Sequence, residues 1–192
     1  MNIVLLGCPG AGKGTLAQQL KHEYSYFILT PGELYRREAE LKTEFGLRAK
    51  EYWGNGNLCP NEMTNELIKN TIKNSCGPNI VFDGYPRTVV QAEFLDSITN
   101  IQLIIDLHIN DDISVQRLLR RREIENRPDD TEDVIRQRLA VYHKNNDAII
   151  NYYSKDANRY KFINADRPRP EVFNDAQTII INKTKEIDNE NR

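Results

Sequence analysis

The sequence predicts an α/β fold, a parallel sheet covered by helices on both faces, and three observations carry that prediction. Short runs of β-branched and apolar residues recur along the chain. Each run is followed by a stretch with helical spacing. The runs are apolar throughout instead of alternating with polar residues, as strands buried on both faces must be. Taken in order, Ile3–Leu6 precedes a helical pattern over Gly12–Tyr24, in which Leu16, Leu20 and Tyr24 share one stripe. Ile80–Phe82 precedes a helix near Val89–Ser97. Ile101–Ile109 precedes Asp111–Arg122, with Asp111 as the expected N-cap, and Tyr160–Ile163 precedes a last helix around Pro170–Lys183. Two stretches interrupt this alternation. From Pro31 to Pro60 the pattern is helical and strongly charged, with punctuation at Thr43, Gly46, Gly54 and Gly56. The second, Arg122–Asp130, has an arginine-rich entrance and an Asp129-Asp130 exit expected to cap a long helix over Thr131–Tyr153. The tail Lys183–Arg192 is polar and expected to fray.

A chain of 192 residues that is 39% hydrophobic fits a single domain, 1–192, with small insertions. A domain of that size buries roughly 70% of its unfolded-chain surface and needs no disulfide or metal staple. Lys and Arg total 26 against 28 Asp and Glu, a net charge of −2. That balance lacks the basic excess of a nucleic-acid or membrane-surface binder. Cys8, Cys59 and Cys76 are odd in number and scattered, without metal-ligand spacing, which suits a reduced cytoplasmic setting. Ile3–Leu6 is too short for a signal peptide, and no run approaches the roughly 20 apolar residues of a membrane span. A soluble cytoplasmic protein is therefore expected.

The first apolar run ends in Gly7-Cys8-Pro9-Gly10-Ala11-Gly12-Lys13-Gly14-Thr15. Glycines permit positive φ and let backbone N–H groups approach phosphate oxygens. A helix opening near Gly12 adds unpaired N–H donors and a partial positive charge, and Lys13 can bridge terminal phosphates. The general pattern GxxxxGK[ST] places a magnesium-binding hydroxyl directly after the lysine. Here Gly14 occupies that place and the hydroxyl comes one residue later, at Thr15.

The run Gly-x-Pro-Gly-x-Gly-Lys-Gly-Thr resembles the loop of adenylate kinases and related nucleoside monophosphate kinases. The resemblance implies a three-layer P-loop fold with a central parallel five-stranded sheet. It also implies a helical NMP-binding insertion over 30–59 and a short lid over about 122–132. It assigns ATP to Gly10, Ala11, Gly12, Lys13, Gly14 and Thr15.

Asp83 stands at the carboxyl end of the run Ile80–Phe82, where ligands of open α/β sheets bind. It is positioned to hold Mg²⁺ through water, since this ion keeps part of its hydration shell. The string Asp83-Gly84-Tyr85-Pro86-Arg87-Thr88-x-x-Gln91-Ala92 resembles the family's second signature. By that resemblance Arg87 grips the acceptor's α-phosphate, Gln91 meets its adenine edge, and Gly84, Tyr85 and Pro86 belong to the AMP site. A guanidinium fork suits phosphate oxygens, and one amide offers both a donor and an acceptor. Arg36 matches a second arginine on the acceptor phosphate, and Asn57-Leu58-Cys59 resembles a segment whose backbone lines the adenine pocket. Adenylate kinases usually carry Thr or Ser where Pro31 stands; Pro31 has no hydroxyl to offer but suits the start of a helix.

Phosphoryl transfer needs charge neutralisation and in-line positioning more than covalent chemistry. Arg117, Arg121, Arg127 and Arg138 match the family's arginines in order and interval, and Asp129 and Asp130 its lid-closing pair. The resemblance puts Arg117 and Arg121 on the donor side and Arg127 and Arg138 on the transferring phosphoryl and the acceptor. It places Arg167 near the donor adenine. Arg120, Arg122 and Arg136 read as surface charges, and Trp53 as packing. His22, His108 and His143 have no catalytic spacing. The lid segment has room only for a short loop without cysteine, so no zinc is expected; Arg122 and Asn126 stand where the family usually has glycines. The implied reaction is reversible transfer from MgATP to AMP, giving two ADP, by a family that is mostly monomeric. Lys13, Arg87, Arg121, Arg127 and Arg138 would carry the transition-state charge. Two alternatives stay open: a UMP/CMP kinase of the same fold, and a non-catalytic nucleotide-binding regulatory protein. Thr88 and Gln91-Ala92 favour adenine over the first. The presence of Lys13, Asp83 and every arginine counts against the second.

Overall fold

The computed structural model describes residues 1–74, 77, 79–125, 127 and 130–190. Its strands are β1 (Ile3–Gly7), β2 (Phe27–Leu29), β3 (Ile80–Asp83), β4 (Leu103–His108) and β5 (Tyr160–Asn164). They form one parallel sheet in the order β2-β3-β1-β4-β5. Strands buried on both faces cannot alternate with polar residues. Ile3, Leu5, Val81, Leu103 and Ile105 point to one face, and Val4, Leu6, Phe82 and Ile104 to the other. Each such side chain contributes about 1.5–3 kcal/mol on burial, so the centre of the sheet is the most strongly held part of the molecule.

Helices α1 (Lys13–Tyr24), α6 (Asp111–Ile124) and α8 (Arg169–Glu190) cover the first face through Leu16, Leu20, Leu118, Phe173 and Ile180. The second face takes α4 (Asn61–Asn74), α5 (Val89–Ile98) and the end of α7 (Glu132–Tyr153), through Ile68, Leu95, Ile149 and Tyr153. The start of α7 reaches the first face with Ile135 and Leu139. This is the α/β fold with helices on both sides that the apolar runs predicted. Among the described residues no helix is long and apolar enough to cross a membrane.

Two elements escape the pattern reading. Strand β2 is a short apolar run of only three residues at the sheet edge, and Phe27 is 40% exposed, so it lacks the two-sided burial of the central strands. Helix α4 has only Thr64 and Ile68 as buried residues, and its polar surface hides its spacing. Three end signals were also misplaced. The cap of α6 is Asn110, whose Oδ1 accepts from the Asp112 N–H at 2.8 Å, while Asp111 lies inside the first turn. The cap of α7 is Thr131, since Asp130 is turned toward arginines. The expected frayed tail is helical through Glu190, supported by a Lys183–Glu186 pair at 3.0 Å and a Thr184-to-Ile180 hydrogen bond.

Between β2 and β3 lie α2 (Pro31–Glu40) and α3 (Glu44–Trp53), ahead of α4. Pro31 starts α2, where a missing N–H costs nothing. Thr43 caps α3 by accepting from the Gly46 N–H at 3.0 Å. Gly46 itself lies inside α3 and is not punctuation. A Cβ there would sit 2.2 Å from the carbonyl carbon of Glu38 and 2.3 Å from the Ala39 nitrogen, so the glycine lets α3 close onto α2. Gly46→Ala should therefore destabilise the protein by about 1–3 kcal/mol, read as a fall in thermal midpoint of several degrees. An unchanged midpoint would show that α3 can slide away at no cost.

Candidate active site

A cavity of about 910 Å³ opens at the carboxyl ends of β1, β2 and β3. Strand β1 has β3 on one side and β4 on the other, so the chain leaves the centre of the sheet in both directions. Such a switch point leaves a crevice at the strand ends, and the segment after β1 occupies it.

That segment is Gly10–Thr15, and all six residues line the cavity. Gly12 holds φ +99° at the N-cap of α1, and a Cβ there would meet nothing within 4 Å. The backbone conformation, then, demands glycine there while the space above stays open. Gly14 is explained differently. A Cβ at this position would approach Oδ2 of Asp83 to 3.3 Å, so the residue in place of the usual hydroxyl leaves room for the carboxylate. Lys13 Nζ donates to the carbonyls of Gly7 and Cys8, both at 2.8 Å. Desolvation lowers the pKa of this half-buried ammonium, and the Asp83 charge opposes that shift.

The arginines reach the cavity from α6, α7 and three connecting segments, each held by an oxygen. Arg117 donates to the Ala165 carbonyl at 3.1 Å. Arg121 and Arg138 converge on Asp130: Nε and Nη2 of Arg121 reach one carboxylate oxygen at 2.9 and 2.5 Å, and Nη1 of Arg138 reaches the other. Arg127 pairs with Glu125 at 2.8 Å. Arg167 pairs with Asp175 and donates through Nε to the Asn164 carbonyl at 3.2 Å. Arg87 Nε donates to the Gly84 carbonyl at 2.8 Å, leaving the fork open to the cavity. Although exposed to that open space, the group is ringed by protein; desolvation pushes its pKa down, with Asp83 opposing.

The cavity is also lined by Pro31, Arg36, Asn57, Leu58, Cys59, Gly84, Pro86 and Gln91. Gln91 is 2% exposed, unlike an ordinary helix-surface glutamine, and its Oε1 accepts the Arg87 backbone N–H at 2.7 Å. The Arg36 guanidinium lies 5.5 Å over the Trp53 ring, so Trp53 is a platform for that arginine as well as packing. Burial pushes the Cys59 thiol up, and its Sγ contacts the Ala49 carbonyl at 3.7 Å, so no thiolate nucleophile is offered.

One residue expected at the site lies off the cavity lining, and two of the lid segment fall outside the described residues. Tyr85 does not line the cavity: it is fully buried in the core, and its hydroxyl donates to Asn65 at 2.7 Å. Asp130 is fully buried and paired with both Arg121 and Arg138. Asp129 and Asn126 lie outside the described residues. Conversely, Arg120 lines the cavity, three residues from Arg117 on the same face of α6, a spacing that could have identified it. None of the three histidines lines the cavity; His108 and His143 bond Asp106 and Asp111 at 2.7 and 2.8 Å.

Cations from separate parts of the chain thus line one volume together with a phosphate-type loop and the Gln91 amide. By class this is a phosphate-loop nucleotide-binding protein. Residues 5–158 match the family described as adenylate kinase. An adenylate kinase of Maricaulis maris is 40% identical over 161 residues, 81% of this chain and 86% of that protein. One from Prochlorococcus marinus is 35% identical over 180 residues, covering 91% and 95%. One from Thermobifida fusca is 34% identical over 186 residues, covering 94% and 98%. The chain belongs to the adenylate kinase family.

Asp130 holds two cations while itself excluded from water, and both arginines keep some exposure, 31% and 15% of their side chains. Asp130→Asn should therefore cost about 1–3 kcal/mol in the nucleotide-free protein, between the values of exposed and fully buried pairs. Urea unfolding without nucleotide measures this; an unchanged stability would mean the two pairs contribute nothing net.

Proposed function

We propose that this chain catalyses ATP + AMP ⇌ 2 ADP, the reaction of its family, and so balances the adenine nucleotide pool. The observation that supports this most is the gathering of Lys13, Arg87, Arg121, Arg127 and Arg138 in one cavity with Asp83 among them. A binding protein for one nucleotide has no use for so many cations around one volume.

In this reading Gly10, Ala11, Gly12, Lys13, Gly14 and Thr15 cradle the donor phosphates with backbone N–H groups and the ammonium. Arg117, Arg121 and Arg167 hold the rest of ATP. Arg36 and Arg87 take the acceptor's α-phosphate by fork geometry. Gln91, with the backbone of Asn57, Leu58, Cys59 and of Gly84, Tyr85 and Pro86, frames the AMP base; Tyr85 acts through its main chain, and Pro31 packs beside it. Arg127 and Arg138 stabilise the phosphoryl group in flight, whose charge spreads over its equatorial oxygens. The AMP phosphate oxygen attacks in line, without a covalent enzyme intermediate or an essential general base. Residues 30–59 and about 122–132 close over the substrates, with Asp129 and Asp130 fixing arginines, and exclude water as a competing acceptor.

Asp83 fits Mg²⁺ held through water: it stands at a strand end beside the loop, within Coulombic reach of Lys13. Among the described residues no cluster of three or more His, Cys, Asp or Glu forms a protein cage, which suits an ion carried mainly by phosphate oxygens and water. When bound with ATP the ion neutralises phosphate charge; the residues of the chain do the rest.

Arg87→Ala should lower kcat/KM for AMP on the order of 100-fold and leave the KM for ATP little changed, read in a coupled ADP assay. Unchanged turnover would remove Arg87 from the acceptor site. The same assay with AMP, CMP, UMP and GMP at equal concentration should favour AMP, and equal rates with CMP would transfer the reading to a pyrimidine nucleotide kinase.

A further inference from the structure

Pro31 leaves the acceptor wall without a hydroxyl at its own position, yet the residue before it carries one that the fold does not use. Thr30 is the N-cap of α2, with extended backbone at φ −123° and ψ 103°. Threonine elsewhere in this protein caps with its side chain: Thr43, Thr88 and Thr131 accept from the N–H groups of Gly46, Gln91 and Val134. Thr30 makes no such bond. The Glu33 N–H is satisfied by the Thr30 carbonyl at 3.0 Å, and the Thr30 hydroxyl has no hydrogen-bond partner among the described residues. Nor is that oxygen sealed in the interior, since it is absent from the buried atoms without partners. Thr30 lines the cavity, as do Pro31, Leu58, Cys59 and Gln91.

We propose that the Thr30 hydroxyl contacts the 6-amino edge of the acceptor's adenine, supplying from position 30 what Pro31 cannot supply from position 31. This rests on the reading of the cavity as an AMP site. The neighbouring groups leave that role open. Gln91 already receives the Arg87 N–H on its Oε1 at 2.7 Å, so its amide is best placed to donate. Asn57 Oδ1 accepts from Gln137 at 3.0 Å. The Thr64 hydroxyl receives Tyr35 at 2.8 Å and donates to the Pro60 carbonyl at 3.1 Å. Thr30 keeps both an acceptor and a donor, and an exocyclic amine needs an acceptor. A proline at the next position contributes to this arrangement. Its ring presets φ, so α2 starts without the side-chain cap and the hydroxyl stays available to a ligand.

The test compares wild type, Thr30→Val and Thr30→Ser in steady-state kinetics with AMP and with purine riboside 5′-monophosphate, which lacks the 6-amino group. Thr30→Val, equal in shape, should raise the KM for AMP about tenfold, the loss of one net hydrogen bond. The KM for ATP and the thermal midpoint should not move, because no cap is lost. Thr30→Ser should stay within about twofold of wild type, and the purine riboside monophosphate should show little difference between wild type and Thr30→Val. An unchanged KM for AMP in Thr30→Val, or an equal rise with both acceptors, overturns the assignment. A wild-type protein that forms no ADP from ATP and AMP would instead strike the proposed reaction, an outcome read before any variant is made.

Discussion

A site that transfers a phosphoryl group between two polyanions must assemble like charges before either anion arrives, and this constraint organises the rest of the molecule. Two unit charges about 4 Å apart repel by about 4 kcal/mol at an effective dielectric of about 20. Unrelieved, several such pairs would consume the stability of an ordinary domain. The protein relieves them with oxygens that are part of the scaffold. Lys13 rests on two loop carbonyls, Arg117 on the Ala165 carbonyl, and Arg87 on the Gly84 carbonyl. Asp130 spans Arg121 and Arg138. A carbonyl carries only a partial charge, so it can orient a cation without cancelling it. Those arginines thus remain attractive to phosphate, whereas the two on Asp130 are held by a full charge.

The positions of those oxygens depend on the sheet. The loop after β1 is anchored because β1 is paired on both sides, through Ile3 with Val81 and with Leu103. Asp83 is brought to the loop by the same register, opposite Leu5. The side chains that secure this register, such as Val4, Ile104 and Phe82, have no accessible surface. Rigid backbone at the strand ends is what allows a glycine loop, flexible by composition, to present N–H groups in a fixed direction.

Much of this was legible in the sequence, for reasons that differ by element. The central strands were visible because burial on both faces requires unbroken apolar runs. The loop was visible because positive φ at Gly12 excludes other residues. Features that depend on distant partners were not. Nothing local distinguishes Asp130, a buried bridge between arginines, from a helix cap, and nothing in the chain order tells that Tyr85 turns inward while Arg87, two residues on, faces the cavity. Gly46 read as punctuation because a glycine required by a neighbouring helix has the same letter as one required by a turn. Arg120 was hidden for the opposite reason: in a run of three arginines the cavity-facing members are told apart only by helix phase.

Gly14 joins the two kinds of information. In the sequence it was a departure, a glycine where a hydroxyl was expected, and it narrowed the class of loop. In the structure the departure has a physical cause, since the Asp83 carboxylate reaches to 3.3 Å of the place a Cβ would occupy. Carboxylate and glycine therefore constrain each other: a side chain at 14 would crowd the Asp83 carboxylate and require it to shift by a few tenths of an ångström. The same logic applies across the cavity to Thr30 and Pro31, where the chemistry of one residue governs what its neighbour is free to do. In both places the informative unit is a pair of positions, and a pattern that scores residues one at a time cannot see it.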